Sequence, residues 1–189
     1  MTRARDMANI AAGSFDVPSV ADGIITSAKL ASGAITSANL PSGTVLQVKS
    51  TIYSPNRVAT TNTAMQDTGL SLSMTLSSSS NKVFIMVNGG HCYVESGFSD
   101  GLIETICRTS STTYSTSNDL NGGEGFGFGQ LYNAAYLNTG EHSMAVLDET
   151  PGSTSAAYRC FFRSRSGGSV VWHENNASNV TMTLMEIAG

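Results

Sequence analysis

Three histidines, His91, His142 and His173, and five acids, Glu95, Asp100, Glu104, Asp119 and Glu124, are the side chains here that could do catalytic or metal chemistry. Two of the histidines have a carboxylate beside them in sequence, Glu141 and Glu174. Neighbours along an extended strand point to opposite faces, so adjacency alone makes no dyad. No HxH, HExxH or paired CxxC spacing occurs, which argues against a metal site within one chain. Three copies of one histidine around a shared axis could still gather an ion, with His91 or His173 as the candidates. Glycan hydrolysis needs two carboxylates, but the five acids fall in loop-like segments and read as scattered surface groups. Gly122–Gly129 has the glycines of a phosphate-binding loop without the Lys-Ser/Thr pair or a following helix. It reads as a Gly-rich loop running into an aromatic strand. No catalytic residue, metal or cofactor is assigned, and the chain is not expected to be an enzyme.

Elements that could position such groups are strands. From residue 45 onward, short apolar-alternating runs are separated by turn residues. Val45–Ile52 is one run, and Leu70–Leu76 alternates strictly, with Leu70, Leu72, Met74 and Leu76 on one face. The run Val83–Val87 is wholly apolar, so Lys82–Val87 reads as a strand buried on both faces. Gly89 and Gly90 suggest a bulge before His91–Val94. Further runs are Leu102–Cys107, Phe126–Leu137, Ser143–Leu147, Ala156–Arg165, Ser169–His173 and Val180–Ile187. Gly167-Gly168 signals a two-residue hairpin and Pro151-Gly152 a turn. Eight to ten short strands with few helix-length segments predict an all-β, jelly-roll-like sandwich.

Composition narrows the partners. Charged residues are 13% of the 189, and the formal net charge is −4. Serine and threonine make up about a quarter of the chain, so hydroxyls rather than charges cover its surface. Apart from Arg159, Arg163 and Arg165 no basic cluster exists, and a nucleic-acid partner is not expected. The three arginines alternate on one face of a strand, where they could meet an anionic glycan or pair with acids between subunits; pairing is the expectation. No apolar run approaches the roughly 20 residues of a membrane helix, and no signal-peptide h-region follows the N-terminal arginines. Cys92, Cys107 and Cys160 each fall in a run that reads as a strand and are expected as buried free thiols in a reducing cytoplasm. Asn176 and Asn179 begin glycosylation sequons that a bacterial cytoplasm would leave bare. Tyr93, Phe98, Tyr114, Tyr132, Tyr136 and Trp172 suit sugar rings by type, although most should be core or interface residues.

The N-terminal part is organised differently. Gly13, Gly23, Gly33 and Gly43 recur every ten residues, each with an apolar residue two places later: Phe15, Ile25, Ile35 and Val45. Val20, Leu30 and Leu40 follow the first three glycines by seven. Two apolar residues per unit cannot offset the entropy of ordering one chain. Such units stay a flexible linker, or identical chains wrap together and share a core. A five-and-five spacing does not hold one face of a 3.6-residue helix, so extended strands and turns are the expected form.

The order of segments now becomes informative. Repeats end in Pro41-Ser-Gly43, Thr44–Val48 follows, a Ser/Thr-rich strand pair comes next, and the chain closes on Leu184–Ala188. This order resembles the tail-fibre and related fibre proteins of tailed bacteriophages, notably of marine and cyanobacterial hosts. The opening Arg3–Ala8 is similar to the segment that begins many of them. The resemblance implies a homotrimer in the virion, made in the host cytoplasm, with three parts. Residues 1–12 would attach to another virion protein, with Arg3, Arg5, Asp6 and Met7 as contacts. Residues 13–43 would form a shaft packed through Phe15, Val20, Ile25, Leu30, Ile35, Leu40 and Val45. Residues 44–189 would form a β-sandwich knob that adsorbs to a glycan or protein of the host surface. A head fibre or decoration protein of the capsid is the alternative, and a glycan-cleaving tailspike the more distant one.

Overall fold

A computed structural model describes residue 26 and residues 39–95, 99–121, 127–132, 138–174 and 179–189. The chain divides into two units at Asn39/Leu40. Arg3, Arg5, Asp6 and Met7, together with Phe15, Val20, Ile25, Leu30 and Ile35, lie outside the described residues. Leu40, half-buried, and Val45, exposed, belong to the second unit.

That second unit is all-β. Its strands are β1 (Val45–Tyr53), β2 (Val58–Thr60), β3 (Gln66–Thr75), β4 (Lys82–Val94) and β5 (Gly101–Arg108). Then come β6 (Gly129–Tyr132), β7 (Asn138–Asp148), β8 (Ser155–Ser164), β9 (Val170–His173) and β10 (Val180–Ile187). Two antiparallel sheets form. The first runs β1-β10-β4-β9-β2, with β7 also paired to β4; the second runs β3-β8-β5-β6. Apart from the short β2 and β9, pairing is nested: β1 with β10, β3 with β8, β4 with β7, and β5 with β6.

Alternation explains the core. Leu70 and Met74 of β3 and Leu76 just beyond its end meet Val83, Ile85 and Val87 from β4 and Val180, Met182 and Leu184 from β10, all at most 3% exposed. The bulge expected at Gly89 and Gly90 is present: both have positive φ, and the β4–β7 register shifts between Gly89 and Cys92. A Cβ on Gly89 would sit 2.6 Å from the Asn179 carbonyl, so the bulge needs glycine twice over. The three cysteines are free and buried.

Two local expectations fail. Gly167-Gly168 does not close a hairpin, because β8 and β9 belong to different sheets. The glycines instead let the chain cross between layers, and Asp100 fixes that crossing. Its carboxylate accepts from the Ser164 hydroxyl (2.7 Å) and from the backbone N–H groups of Gly101 (2.7 Å), Ser166 (2.8 Å) and Gly168. The second failure concerns the acids. Asp100, Glu104 and Asp119 are 1%, 5% and 8% exposed, not scattered on the surface. These three acids are used inside the fold as hydrogen-bond acceptors.

Glu186 does the same where the chain ends. It accepts from Ser77 N–H (2.7 Å), Ser77 Oγ (2.8 Å), Asn81 Nδ2 (2.6 Å) and Gln47 Nε2 (2.5 Å). Burial pushes both carboxyls up, but these hydrogen bonds outweigh it and hold Asp100 and Glu186 below their ordinary values. A depressed folded-state pKa gives stability that is present above the unfolded value and lost as pH falls through the folded one. The melting temperature is therefore expected to fall on acidification below about pH 4. In Asp100→Asn the amide nitrogen would face an N–H or O–H donor. That variant should lose at least about 2 kcal/mol in denaturant unfolding at neutral pH; a loss under about 0.5 kcal/mol would contradict the role given to Asp100.

Candidate functional site

Of the three histidines, His142 meets a carboxylate in the interior, and its partner is not its sequence neighbour. His142 projects inward from β7 and meets Glu104 of β5, in the opposite sheet. Its Nδ1 lies 2.7 Å from Glu104 Oε2, and its Nε2 lies 2.7 Å from the Trp172 carbonyl. The Trp172 indole donates to the same Glu104 oxygen at 3.0 Å, and its ring stacks on the imidazole with centroids 4.5 Å apart. A carbonyl can only accept, so Nε2 carries a proton. One more proton lies between Nδ1 and the carboxylate, and the pair is neutral overall wherever that proton sits. Burial lowers the His142 pKa, but the hydrogen bond and charge of Glu104 outweigh it, and the net direction is up.

A histidine–carboxylate pair is a common catalytic unit, yet this one is closed. His142 and Trp172 are 2% and 0% exposed, and both imidazole nitrogens are engaged within the fold. The geometry makes it an inter-sheet clamp. The other acids are spent in similar ways. Asp119 accepts from Thr105 and Tyr114, each at 2.7 Å, and Asp148 accepts from Arg108 (2.9 Å) and Tyr158 (2.9 Å). Arg159 pairs with Asp67 of its own chain at 2.7 Å. Arg163 shares its strand and faces the same way, while Arg165 lies beyond the strand end.

Outside, the two sheets differ. The outer side of the second sheet carries a small cluster of Met65, Ile103, Cys107 and Phe161, and Tyr114 from the segment after β5 packs on it. The chain covers that surface itself. Across the first sheet, three rows of directly paired residues face outward: Val48–Met185–Phe84–Leu147, Ser50–Thr183–Met86–Ala145, and Ile52–Thr181–Asn88–Ser143. None of these residues is charged. Val48 is 58% exposed and Ile52 68% exposed, while Phe84, Met86 and Met185 are half-buried. The strand β4 is thus buried on one face only, unlike the expectation from its apolar run.

At the end of the sandwich away from Val45, the same outer side turns polar and aromatic. Tyr93 stands in contact with His91, with ring centroids 5.4 Å apart, and its hydroxyl donates to Glu174. Arg57 bridges Glu95 and Glu174, with Nε 3.2 Å from the latter. These ion-pair side chains are 30–42% exposed. Burial, then the Glu174 hydrogen bond, push the Tyr93 phenol up. Here ring, guanidinium and carboxylates lie together on loops and strand ends, the usual seat of recognition on a rigid scaffold.

Of the aromatic residues proposed for ligand contact, Tyr93 reaches this surface. Trp172 is core, Tyr114 covers the second sheet, and Tyr132 is in β6. Phe98, Tyr136, Glu124 and Asn176 lie outside the described residues. His173 is fully buried, and among the described residues no group of three or more potential ligands gathers to hold a metal. No family model matches the sequence, and no curated protein is similar to it at a significant level.

The clamp has a testable pH signature. A histidine pKa raised in the folded state contributes stability that is complete below about 6.5 and lost as pH rises through the raised value. The melting temperature should fall above that pH. Glu104→Gln should cost about 3 kcal/mol at pH 6 and flatten the slope. An equal slope in both proteins would remove the clamp.

Proposed function

We propose that the chain is a structural component of a tailed-bacteriophage virion: a short trimeric tail fibre whose C-terminal knob adsorbs to the host cell. Residues 1–12 attach to another virion protein, residues 13–43 form the shaft, and the β-sandwich is the knob. The observation that carries the reading is the junction of two architectures. A glycine period of ten residues leads straight into β1, the edge strand of a sandwich whose eight main strands pair first with last, inward in order. That nested order supports a jelly roll, a scaffold used in capsid and lectin domains.

The interior chemistry supports binding rather than turnover. Asp100, Glu104 and Asp119, which a glycan hydrolase would have to present to solvent, are hydrogen-bonded inside the fold. The polar and aromatic end carries Arg57, His91, Tyr93, Glu95 and Glu174, side chains that suit a host glycan or a polar protein surface.

Antibody against the full chain is expected to label purified particles of the phage that encodes it at the tail. Labelling of the head would move the fibre to the capsid, and the absence of any labelling would overturn the virion assignment. Labelled full chain should bind host cells saturably. Tyr93→Ala and Arg57→Ala should each weaken that binding at least about tenfold, the scale of a modest interface contact. Unchanged binding in both would take recognition away from this end of the knob.

A further inference from the structure

The run Val83–Val87 has apolar side chains on both faces of β4, yet the folded chain buries one face. The other face belongs to a sheet surface without a charge in three rows of four paired residues. Four strands about 4.8 Å apart and three rows about 7 Å apart make an uncharged area of about 400 Å². That is half of the roughly 800 Å² each partner gives to a standard interface, and it can form the apolar centre of one. Its charge sits at the rim, where Lys82 lies 3.9 Å from Glu149.

We propose that this outer face of the first sheet is where copies of the chain pack against one another, Val48, Ile52, Phe84, Met185 and Leu147 forming the buried centre. The number of copies rests on the fibre reading; the face does not. Three observations favour a second copy over another occupant. Self-packing suits an uncharged face, since no unlike charge pattern needs to be matched. The period of glycine and apolar residues also reaches this face in sequence. Val45, the apolar residue two places after Gly43, sits opposite Ile187 in the row next to Val48. One apolar position of that period, of the kind a single chain cannot bury, therefore lies on this face. Third, the chain provides its own cover for the apolar patch on the second sheet, with Tyr114, while on this face Val48, Ile52 and Leu147 stay exposed.

The test uses the full chain. Val48→Lys with Ile52→Lys places two charges on exposed positions of an edge strand, where lysine is well tolerated. Ser50→Cys, between them and exposed, reports cover through its rate of reaction with a water-soluble maleimide under reducing conditions. The native thiols are at most 4% exposed, and burial pushes Cys92 and Cys107 up to about 12, so they react slowly. Light scattering should give an oligomer for the Ser50→Cys chain, with maleimide reaction at least tenfold slower than in the chain also carrying both lysines. An oligomer with equally fast reaction in the two proteins would overturn the face and leave the fibre reading standing. A monomer with fast reaction would overturn both. A monomer with slow reaction that the lysines accelerate would assign the cover to residues 1–38 of the same chain and overturn packing between copies.

Discussion

A strand in the middle of a sheet with apolar residues at every position has to be covered on both sides. In β4 the residues Val83, Ile85 and Val87 are covered by the second sheet, and Phe84 and Met86 point the other way. Much else follows from that constraint. The inward set joins the two sheets through one core. The outward set aligns with Met185 and Thr183 on one side and with Leu147 and Ala145 on the other, so four strands share one uncharged surface. A protein with few charges to place keeps them at the rim of this surface, on the opposite sheet, and at the end where Arg57 meets Glu95 and Glu174.

Polar groups inside the sandwich divide the remaining labour. Three of the buried acids each close a particular crossing: Asp100 the passage from β8 to β9, Glu186 the loop before β4 together with Gln47 of β1, and Glu104 the gap between sheets through His142 and Trp172. A chain rich in serine, threonine and glycine has loops with many N–H donors and few bulky side chains to hold them. An ionised carboxylate accepting several such donors is a compact way to fix a loop. The same commitment takes these acids out of reach of a substrate.

Strand positions were legible from the sequence because alternation is a local property. The run Val180–Ile187 coincides with β10, and Leu70, Met74 and Leu76 face the core as the period of two requires. Pairing across long sequence separations was not legible. Nothing near His142 points to Glu104, 38 residues earlier, and adjacency drew attention to Glu141 instead. Glu104 and Asp100 looked like surface acids because an acid buried by its partners has the same letter as a solvated one. β2 was missed because Val58–Thr60 is too short to show a period, and its contribution to the far end, beside Arg57, was missed with it. The apolar face was visible in the sequence, in Val83–Val87, but only as a demand for cover on both sides. Strand register was needed to show which residues share it.

The central claim is that a repeat-bearing chain builds its knob by packing copies through the outer face of one sheet. A cryo-EM reconstruction of the purified full chain tests it most directly. The expected map has three copies around one axis, with Val48, Ile52, Phe84, Met185 and Leu147 buried between them and the Arg57–Tyr93 end exposed. A map of separate single copies, or of copies that meet through the second sheet while these five side chains face solvent, would contradict it.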